Sequence, residues 1–525
     1  MGQPVFAVQS TVLVWFEFLC VCAFVATVEA AVIAAFYSLN RIFGKITFGI
    51  LVGLYTLLFA IDIFVLLQFG MIIGESAVRI FRESNFEEAV GFLGNYLNWK
   101  TAISVICPIL SVILVRLSFK VAIIKPVRVF LLCLSLLGLA FSLFCINNYR
   151  KGVSSKGIVL MVCPIRTATS LLVYPIEIKG IANLGEICQK QYDCEFKEGT
   201  NAFERIIIVI GESHSVYHTS LYGYEKETFP NMHKLYEQDS LFVFDDICSP
   251  YDLTNNVMPL LFSVDENNFH SSPLFPVFLR DVGYYVQLLD NEYTIGRGGG
   301  FLSDERISNA LFKDRNANRV GYDGNLMPDI VDTASRCVTI LHLLGQHYLY
   351  PDRYPEDFSI FKADDYDKAR YTYDQRMQLA AYDNSCLYTD FLLQQVIDKY
   401  KERDAIMFYL SDHGEELYEL SDYNGHGKAL FSSDIRYQLR VPFFIWMSES
   451  ARKTRPELFE RLSQSEHFPI ISSDFPHLVL DIAGVSNTFI DKTRSFVSPS
   501  YDISKPRIVL GYIDYDKYCK SQLDQ

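Results

Sequence analysis

The sequence lacks three features that would point to other classes of protein. It has no internal repeat and no low-complexity tract, which leaves no sign of a repeat architecture. It lacks a basic excess, and its formal net charge of −14 argues against nucleic acid as a partner, because phosphate binding needs a basic face. After residue 150 it also lacks any apolar run long enough to cross a membrane, so the later part of the chain is expected to lie in water.

Apolar residues are instead concentrated at the front of the chain. They make up 50% of the 525 residues, which is more than a water-soluble enzyme needs. Four apolar stretches, each long enough or nearly so to cross about 30 Å of hydrocarbon, cover residues 11–36, 46–74, 101–119 and 127–146. The sequence therefore predicts an α-helical transmembrane domain over residues 1–150. The first stretch could instead be a secretion signal, although no Lys or Arg precedes it.

The charges of the connecting loops predict the orientation of these spans. The first loop, with Arg41 and Lys45, and the third, with Lys120 and Lys125, carry an excess of basic residues. The second loop, residues 75–100, balances its basic residues with glutamates. Because basic loops stay in the cytoplasm, the amino terminus and everything after residue 150 are predicted to lie outside it.

The rest of the chain is predicted to divide into a linker and a second domain. Residues 151–200 are mixed in character and are predicted to form a membrane-proximal linker, amphipathic in part. Within it, Cys188 and Cys194 could close a disulfide in an oxidising compartment. Over residues 201–525, apolar strands alternate with helical patterns such as 388–400. This alternation predicts an α/β domain with a mostly parallel central sheet.

Four apolar runs of this domain are predicted strands, and each ends near a residue able to bind a divalent metal or a phosphate. They are 205–210 followed by Glu212, 286–289 followed by Asp290 and Asn291, 337–344 followed by His347, and 405–410 followed by Asp412 and His413. In an open parallel sheet the carboxyl ends of the strands share one edge, where ligands bind. The sequence therefore predicts that these side chains converge on a catalytic metal site.

The residue types at this edge suit zinc. Asp412 and His413 offer one ion a hard oxygen and a borderline nitrogen, and Glu212 adds a second carboxylate. Such a site keeps one position for the reacting group, for which the candidate is the hydroxyl of Thr254, since metal coordination would turn it into a nucleophile. Thr254 could also cap a helix beginning near Asn255, and a helix amino terminus would itself attract a phosphate.

Several short motifs, in order along the chain, carry a resemblance to a known family. They are Gly211-Glu212-Ser213, Leu221-Tyr222-Gly223-Tyr224 with Glu227-Thr228-Phe229-Pro230, Thr254 with Pro259 and Phe262-Ser263, Gly345-Gln346-His347, Tyr382-Asp383-Asn384 with Tyr388-Thr389-Asp390, Ser411-Asp412-His413-Gly414-Glu415, and His426-Gly427 ahead of Val441-Pro442. In these motifs the chain resembles the phosphoethanolamine transferases of the alkaline phosphatase and sulfatase superfamily, and most of all those that modify the lipopolysaccharide core. The resemblance covers the whole outer domain in order and implies an alkaline-phosphatase-like fold for it.

The resemblance implies a two-step transfer in the periplasm, by a monomer anchored in the bacterial inner membrane. Zinc held by Glu212, Thr254, Asp412 and His413 would activate Thr254, which would attack the phosphorus of phosphatidylethanolamine and expel diacylglycerol. The phosphoethanolamine would then pass from the threonine to a phosphate or sugar hydroxyl of lipid A or of the lipopolysaccharide core. One zinc ion is expected.

Further residues are given roles by the same resemblance or by their charge. His347 and His426 would steady the phosphoryl oxygens or hold a second zinc, and one of them would protonate the departing alkoxide, roles for which histidine is suited. Asn291 and Arg297 are predicted to bind substrate, with Arg297 supplying a positive charge. Gly296-Arg297-Gly298 could also be only a solvated turn.

The chain departs from the usual family pattern in three places. It has four predicted spans where the family usually has five. His214 and Ser215 stand where basic residues often follow the Gly-Glu motif. Only Cys248 lies near the nucleophile loop, where many relatives pair cysteines. The missing cysteine pair bears on the rigidity of the nucleophile loop, and the changed residues after the Gly-Glu motif bear on acceptor binding.

Three alternatives remain at this point. A sulfatase-like hydrolase would use Cys248, but Asp252 occupies the position of the arginine that follows the nucleophile in sulfatases. A glycerol-phosphate transferase of the same superfamily would keep the threonine mechanism and change the lipid. A non-catalytic scaffold with a degenerate enzyme fold is the third, and the presence of all four candidate metal-site residues argues against it.

Overall fold

A computed structural model of the chain describes residues 40–69, 99–118, 183–292, 301–316, 320–427, 429 and 432–523. The chain divides into two compact units, Met1–Glu177 and Ile178–Gln525.

In the first unit the described residues form two long helices that pack against each other. Helix α1, Arg41–Phe69, and helix α2, Trp99–Ser118, overlap the second and third predicted spans. Among the described helices, one segment is long and apolar enough to cross a membrane: Lys45–Phe64, with a mean hydropathy of 2.1. The apolar segment of α2, Thr101–Leu110, is shorter. The first and fourth predicted spans lie outside the described residues.

The second unit is built on a seven-stranded sheet. Its strands are β1 (Arg205–Gly211), β2 (Leu241–Phe244), β3 (Tyr285–Asp290), β4 (Asp314–Arg315), β5 (Cys337–His342), β6 (Ala405–Ser411) and β7 (Phe443–Met447). Their order across the sheet is β2-β7-β6-β1-β5-β3-β4. Neighbouring strands are parallel except at β7, which runs antiparallel to both β6 and β2. The prediction of a mostly parallel central sheet is therefore confirmed.

The central strands β1, β5 and β6 are buried along their whole length. Their nearly continuous apolar sequences are what parallel strands need when both faces of the sheet are covered. Alternate residues of β1 enter two separate cores: Ile206 and Ile208 pack on one face, and Ile207 and Val209 on the other. The sheet therefore separates two hydrophobic layers.

Helices cover both faces of this sheet. They are α3 (Pro230–Glu237), α4 (Thr254–Phe262), α5 (Phe275–Asp281), α6 (Glu305–Leu311), α7 (Tyr373–Tyr400), α8 (Arg436–Leu439), α9 (Glu449–Thr454), α10 (Pro456–Gln464), α11 (Phe475–Ile482) and α12 (Tyr515–Leu523). Helices α4 and α11 pack in the core with Ile206 and Ile208, whereas α3 and α7 pack in the core with Ile207 and Val209. The helix that begins at Thr254 and the long helix α7 thus lie on opposite faces of the sheet.

Short strands form four two-stranded sheets elsewhere in the described part of this unit. The pairs are Glu195–Phe196 with Val485–Ser486, Ile247–Cys248 with Ile470–Ile471, Glu416–Leu417 with Asn424–Gly425, and Ile508–Val509 with Ile513–Asp514. Two of these pairs are local hairpins, and the other two join segments that are far apart in the sequence.

Helix α7 begins earlier than the predicted helix 388–400. Thr372 and Gln375 form a capping box, in which Oγ1 of Thr372 accepts from the Gln375 N–H and Oε1 of Gln375 accepts from the Thr372 N–H. The first turns after this cap are rich in polar residues, so apolar periodicity alone did not indicate them.

Residues 183–200, which the sequence assigned to a membrane-proximal linker, pack against the second unit. Residues 183–189 are helical, and Leu184 is buried in the same core as Ile206. The strand Glu195–Phe196 pairs with Val485–Ser486, far along the chain. This part of the predicted linker therefore belongs to the α/β unit.

The disulfide expected between Cys188 and Cys194 is not formed, and both are free thiols. Cys188 is fully buried in the core, whereas the thiol of Cys194 donates to the carbonyl of Phe278 over 3.6 Å. Burial raises the pKa of both thiols to about 11. The two side chains are held by different neighbours, so closeness in sequence did not bring them together.

Candidate active site

The predicted metal ligands meet at the carboxyl ends of β1 and β6. These strands are adjacent and parallel, with Gly211 opposite Ser411, so Glu212 and Asp412 leave the sheet side by side. Nε2 of His413 lies 3.6 Å from Oε1 of Glu212 and 3.3 Å from Oδ2 of Asp412. All three side chains are fully buried. The convergence expected from the strand ends is therefore present for these three residues.

Thr254 reaches the same cluster from the start of α4. Its hydroxyl donates to Oε2 of Glu212 over 3.0 Å and lies 3.3 Å from Nε2 of His413. Thr254 is the first residue of the helix, and Leu253 occupies the cap position without a side-chain cap. The hydroxyl is thus directed at the cluster. It does not cap the helix, which was the other role that the sequence suggested.

Burial and mutual repulsion control the charges of the two carboxylates. Burial and the nearby Glu212 carboxylate both raise the pKa of Asp412. Burial also favours the neutral form of Glu212, but the positive charges of His413, His347 and His426 outweigh it and lower the pKa of Glu212. Two neighbouring buried carboxylates cannot both ionise unless positive charge lies close to them.

The pKa of His413 is raised by its position. Burial alone would lower the pKa of this imidazole, but attraction to Asp412 and Glu212 outweighs burial and raises it to about 9. His413 can therefore supply one of the positive charges that the carboxylates need.

The arrangement fits a divalent cation. Oδ2 of Asp412 is buried and accepts no hydrogen bond from any described residue. Nδ1 of His413 can only donate to the carbonyl of Gly414, 2.9 Å away, which leaves Nε2 facing the carboxylates, where a cation would take the place of its proton. Two carboxylates, one imidazole and one hydroxyl are a donor set that zinc accepts. The ligand atoms of Glu212, His413 and His426 also lie within 4.8 Å of one another.

His426 lies beside this cluster and is oriented by a carboxylate. Its ring centroid is 4.2 Å from that of His413. Its Nδ1 lies 2.6 Å from Oε2 of Glu415, and the hydroxyl of Tyr350 donates to Oε1 of the same carboxylate over 2.6 Å. Glu415 and Tyr350 were not singled out as site residues from the sequence, although Glu415 belongs to the motif that begins at Ser411.

The loop that carries Thr254 also holds the segment around His426. Oδ2 of Asp252 accepts from the N–H of Ala429 over 2.7 Å, and its carbonyl accepts from the N–H of Gly427 over 3.1 Å. The positions of Thr254 and His426 are therefore coupled through Asp252.

Cys248 is removed from the chemistry that a sulfatase-like hydrolase would need. It is fully buried in the short strand Ile247–Cys248, and burial raises the pKa of its thiol. The hydroxyl at the cluster belongs to Thr254. This placement disfavours the hydrolase with a cysteine-derived nucleophile.

His347 follows a residue that contacts the cluster, because the N–H of Gln346 donates to the carbonyl of Glu212 over 3.0 Å. It is half-buried. The preceding Gly345 has φ +45°, and a Cβ there would lie 2.9 Å from the backbone nitrogen of Glu212. Glycine is thus required where the turn after β5 approaches the turn after β1.

Asn291, another predicted substrate-binding residue, does not join the cluster. Asn291 is fully buried, its amide nitrogen donates to Oδ1 of Asp323 over 2.8 Å, and its amide oxygen accepts from the N–H of Val320 over 2.9 Å. These bonds assign the Asn291 amide to holding the loop around residues 320–323 and not to a substrate. Arg297 lies outside the described residues.

Helix α7 holds the turn that aims Glu212. The hydroxyl of Tyr382 accepts from the N–H of Ser215 over 2.8 Å and donates to the carbonyl of Ser213 over 2.6 Å. Ser213 has φ 55°, and its hydroxyl donates to Oε1 of Glu212 over 2.7 Å. A left-handed serine persists only where its surroundings determine it, and here Tyr382 supplies that constraint.

His214 does not replace the basic residue that relatives often carry after the Gly-Glu motif. It is fully buried, and burial lowers its pKa to about 3, so the ring is neutral. Its nitrogens lie 2.6 Å from the hydroxyl of Tyr409 and 2.9 Å from that of Thr219. His214 is therefore part of the support of the site.

Comparison of the sequence with known proteins identifies relatives of this chain. Residues 204–485 match the sulfatase family. The chain is similar to phosphoethanolamine transferase EptC of Escherichia coli O18:K1:H7 (strain RS218 / NMEC), with 26% identity over 481 residues that cover 85% of this chain and 82% of EptC. It is also similar to Kdo(2)-lipid A phosphoethanolamine 7''-transferase of Escherichia coli (strain K12), with 26% identity over 263 residues that cover 46% of this chain and 44% of that protein.

Two solved structures of phosphoethanolamine transferases are also similar to this chain. The C-terminal periplasmic domain of EcEptC from Escherichia coli, in a complex with Zn, is 26% identical and has a TM-score of 0.56, covering 62% of this chain and 96% of that domain. The integral membrane protein lipooligosaccharide phosphoethanolamine transferase A (EptA) from Neisseria meningitidis is 18% identical and has a TM-score of 0.61, covering 93% of this chain and 98% of that protein. The second similarity is one of fold.

Proposed function

Because the chain belongs to the sulfatase family and is an enzyme of its phosphoethanolamine transferase branch, we propose that it moves phosphoethanolamine from phosphatidylethanolamine to lipid A or the lipopolysaccharide core through a threonine-bound intermediate. The observation that carries this proposal is the contact of the Thr254 hydroxyl with both Glu212 and His413. A half-buried hydroxyl between an acceptor carboxylate and an imidazole is the arrangement of an activated nucleophile.

Zinc is the proposed cofactor, held by Glu212, Thr254, Asp412 and His413. When bound, zinc would lower the pKa of the threonine hydroxyl and place positive charge near the phosphoryl oxygens. The donor set of these residues, the buried Oδ2 of Asp412 and the Zn complex of the related periplasmic domain support this choice.

In the first step Oγ1 of Thr254 forms a bond to the phosphorus of the donor, and the bond from phosphorus to the diacylglycerol oxygen breaks. The threonine proton goes to water, because Glu212 is a proposed metal ligand with a lowered pKa and is therefore a poor base. The diacylglycerol oxygen takes a proton from His426 or His347. The start of α4 faces the phosphate, where the positive end of a helix favours an anion.

In the second step an acceptor hydroxyl or phosphate attacks the phosphorus on Thr254. The histidine that donated the proton in the first step takes the proton of an acceptor hydroxyl, or a proton from water when a phosphate attacks, and Glu415 orients His426 for this role. Oγ1 of Thr254 leaves and recovers its proton from water. The products are the modified glycolipid and the free enzyme. The coupling of Thr254 and His426 through Asp252 keeps both groups in place through the two steps.

The donor also determines where the reaction takes place. Exposing a lipid chain to water costs about 0.8 kcal/mol for each methylene group, so two acyl chains hold the donor in the membrane. Thr254 must therefore meet the headgroup at the membrane surface. We place the second unit in the periplasm, anchored in the inner membrane by α1 and the other predicted spans.

Intact-protein mass spectrometry tests the proposal. The full-length protein, incubated with phosphatidylethanolamine and no acceptor, is expected to gain one phosphoethanolamine. Thr254→Ser should still form the adduct, whereas Thr254→Ala should form none and lose transfer by roughly 1000-fold or more. Undiminished transfer in Thr254→Ala would exclude this nucleophile, and an adduct of the mass of glycerol phosphate would favour the glycerol-phosphate transferase. Masses of lipid A and core from cells with and without the protein identify the acceptor.

A further inference from the structure

An apolar hairpin lies beside the loop that carries the nucleophile. Its strands are Ile508–Val509 and Ile513–Asp514, which pair antiparallel. Three large apolar side chains on and just before the hairpin are exposed: Ile503 by 59%, Ile508 by 45% and Tyr512 by 59%. We call these three side chains the apolar patch.

The hairpin is joined to the nucleophile loop by its backbone. The N–H of Leu510 donates to the carbonyl of Pro250 over 2.8 Å. Next to it, Gly511 has φ +80°, and a Cβ there would lie 3.4 Å from the hydroxyl of Tyr251. Pro250 and Tyr251 shortly precede Thr254 in the chain. The hairpin that carries the apolar patch is therefore attached to the loop that positions the nucleophile.

The base of the hairpin is held rigidly. Arg507 is buried, and its guanidinium donates to Oδ1 of Asp246 over 2.7 Å and to Oδ1 of Asp516 over 3.1 Å. Val509 is fully buried in a cluster with Cys248 and other apolar residues. The exposed side chains are thus carried on a fixed support and do not belong to a loose tail.

We propose that the apolar patch docks on the phospholipid surface of the membrane and thereby brings Thr254 to the headgroup of its donor. The inference rests on the proposed function, in which the donor phosphorus stays at the membrane surface and the nucleophile loop must reach it. Because the hairpin is bonded to that loop, its exposed side chains reach the same surface. A tyrosine beside aliphatic residues is typical of groups that lie at the membrane interface.

The charges near the patch indicate which lipid it meets. Lys517 pairs with Asp514 over 2.7 Å, and Arg507 pairs with both Asp246 and Asp516, so these five groups carry a net charge of only −1. These groups therefore produce no strong electrostatic field of one sign. The patch is expected to bind a zwitterionic surface, such as one of phosphatidylcholine and phosphatidylethanolamine, without a need for anionic lipid.

Fluorescence quenching tests the contact directly. The full-length chain with Tyr512→Trp is reconstituted in phosphatidylcholine–phosphatidylethanolamine vesicles whose acyl chains are brominated near the headgroup. The fluorescence added by the new tryptophan, relative to the unsubstituted chain, should be quenched. Tyr373→Trp is the matched control, because Tyr373 is 61% exposed on a different element, the start of α7. Absence of quenching at Tyr512→Trp, or equal quenching at both positions, would overturn the proposal.

The quenching measurement does not depend on transfer activity, so it separates failure of this inference from failure of the proposed function. Kinetics give a second readout. Ile508→Ser with Tyr512→Ser should raise the apparent KM for donor in vesicles by roughly tenfold, with kcat unchanged on a water-soluble short-chain donor. The matched pair Ile360→Ser with Tyr373→Ser, at residues exposed by 59% and 61%, should leave both values unchanged.

A parallel loss of activity on the soluble donor would mean that the hairpin only supports the fold, and would overturn the proposal. A second copy of the chain is the other occupant to be tested. If light scattering showed a dimer that the Ile508→Ser and Tyr512→Ser changes dissolve, with no quenching at Tyr512→Trp, the patch would be a contact between copies and not a membrane contact.

Discussion

At the scale of single residues, His477 is a buried histidine outside the site whose charge follows from its contacts. It is 1% exposed on α11, and its Nδ1 accepts from the N–H of Asp491 over 3.1 Å. Burial, together with repulsion from Arg494, lowers its pKa to about 4. A protonated ring could not accept that hydrogen bond, so His477 is neutral in the folded protein.

His477 is expected to make the protein less stable in acid. Its folded pKa lies below the usual 6.5, so the unfolded state binds more protons, and the free energy of unfolding falls as the pH drops from 6.5 to below 4. The full loss is about 3 kcal/mol, at roughly 1.4 kcal/mol for each unit of pKa. In thermal unfolding at several pH values, His477→Gln should lose this part of the pH dependence. His233→Gln, at a side chain exposed by 42%, is the control and should keep it. Identical profiles for wild type and His477→Gln would contradict the prediction.

Residues at strand ends could be predicted from the sequence, and their partners could not. Glu212, Asp412 and His413 follow apolar runs, and parallel strands bring such positions to one edge. The contact of Glu415 with His426 depends on how a turn folds back, for which no periodic pattern exists. Asn291 also follows a strand, but a neighbouring loop engages its amide.

At the scale of secondary-structure elements, α7 anchors several loops. Tyr382 holds the turn after β1, Asp383 lies 2.6 Å from Nδ1 of His218, and Oδ1 of Asp390 accepts from the N–H of Met232 in the first turn of α3. Apolar periodicity predicted part of this helix. It did not indicate the anchors, because each of them is a polar residue on a buried face.

The anchor at Tyr382 is expected to control metal affinity. Tyr382→Phe removes the hydroxyl that joins Ser213 to Ser215, so the turn that aims Glu212 should loosen and zinc affinity should fall by roughly 10- to 100-fold. Tyr388→Phe is the control on the same helix, since it removes a single hydrogen bond from the N–H of Gly324. Zinc competition titration of both variants checks the difference. Equal affinity in Tyr382→Phe and wild type would rule out this role.

At the scale of the whole molecule, the candidate metal site joins distant parts of the chain. Glu212 follows β1, Thr254 begins α4, and Asp412 and His413 follow β6. A ligand that binds all of them binds the folded state alone, and such a ligand adds to the free energy of unfolding.

Zinc is therefore expected to stabilise the protein. At a free concentration one hundred times its Kd, it should add about 2.7 kcal/mol to the free energy of unfolding. Chelation should lower the Tm reversibly. Glu212→Gln, which removes one proposed ligand, should show a Tm that does not depend on zinc. A wild-type Tm unchanged by chelator and zinc would remove the metal from the mechanism.

The two-part organisation of the chain could be predicted only in outline. An apolar front with long helices and an α/β unit were readable from apolar runs and strand patterns. Residues 183–200 were misplaced because their strand pairs with Val485–Ser486, and a pairing between such distant segments leaves no local pattern. The cysteines were misjudged for a similar reason, since Cys188 faces a core that is assembled from remote strands.

The bond between Leu510 and Pro250 has a consequence for folding. The nucleophile loop is supported by a segment that lies far along the chain, so the loop reaches its position only when that segment has also folded. Loss of the Arg507 side chain would leave Asp246 without its guanidinium partner and would weaken this support. Assembly of the reactive centre is therefore cooperative with folding of the whole α/β unit.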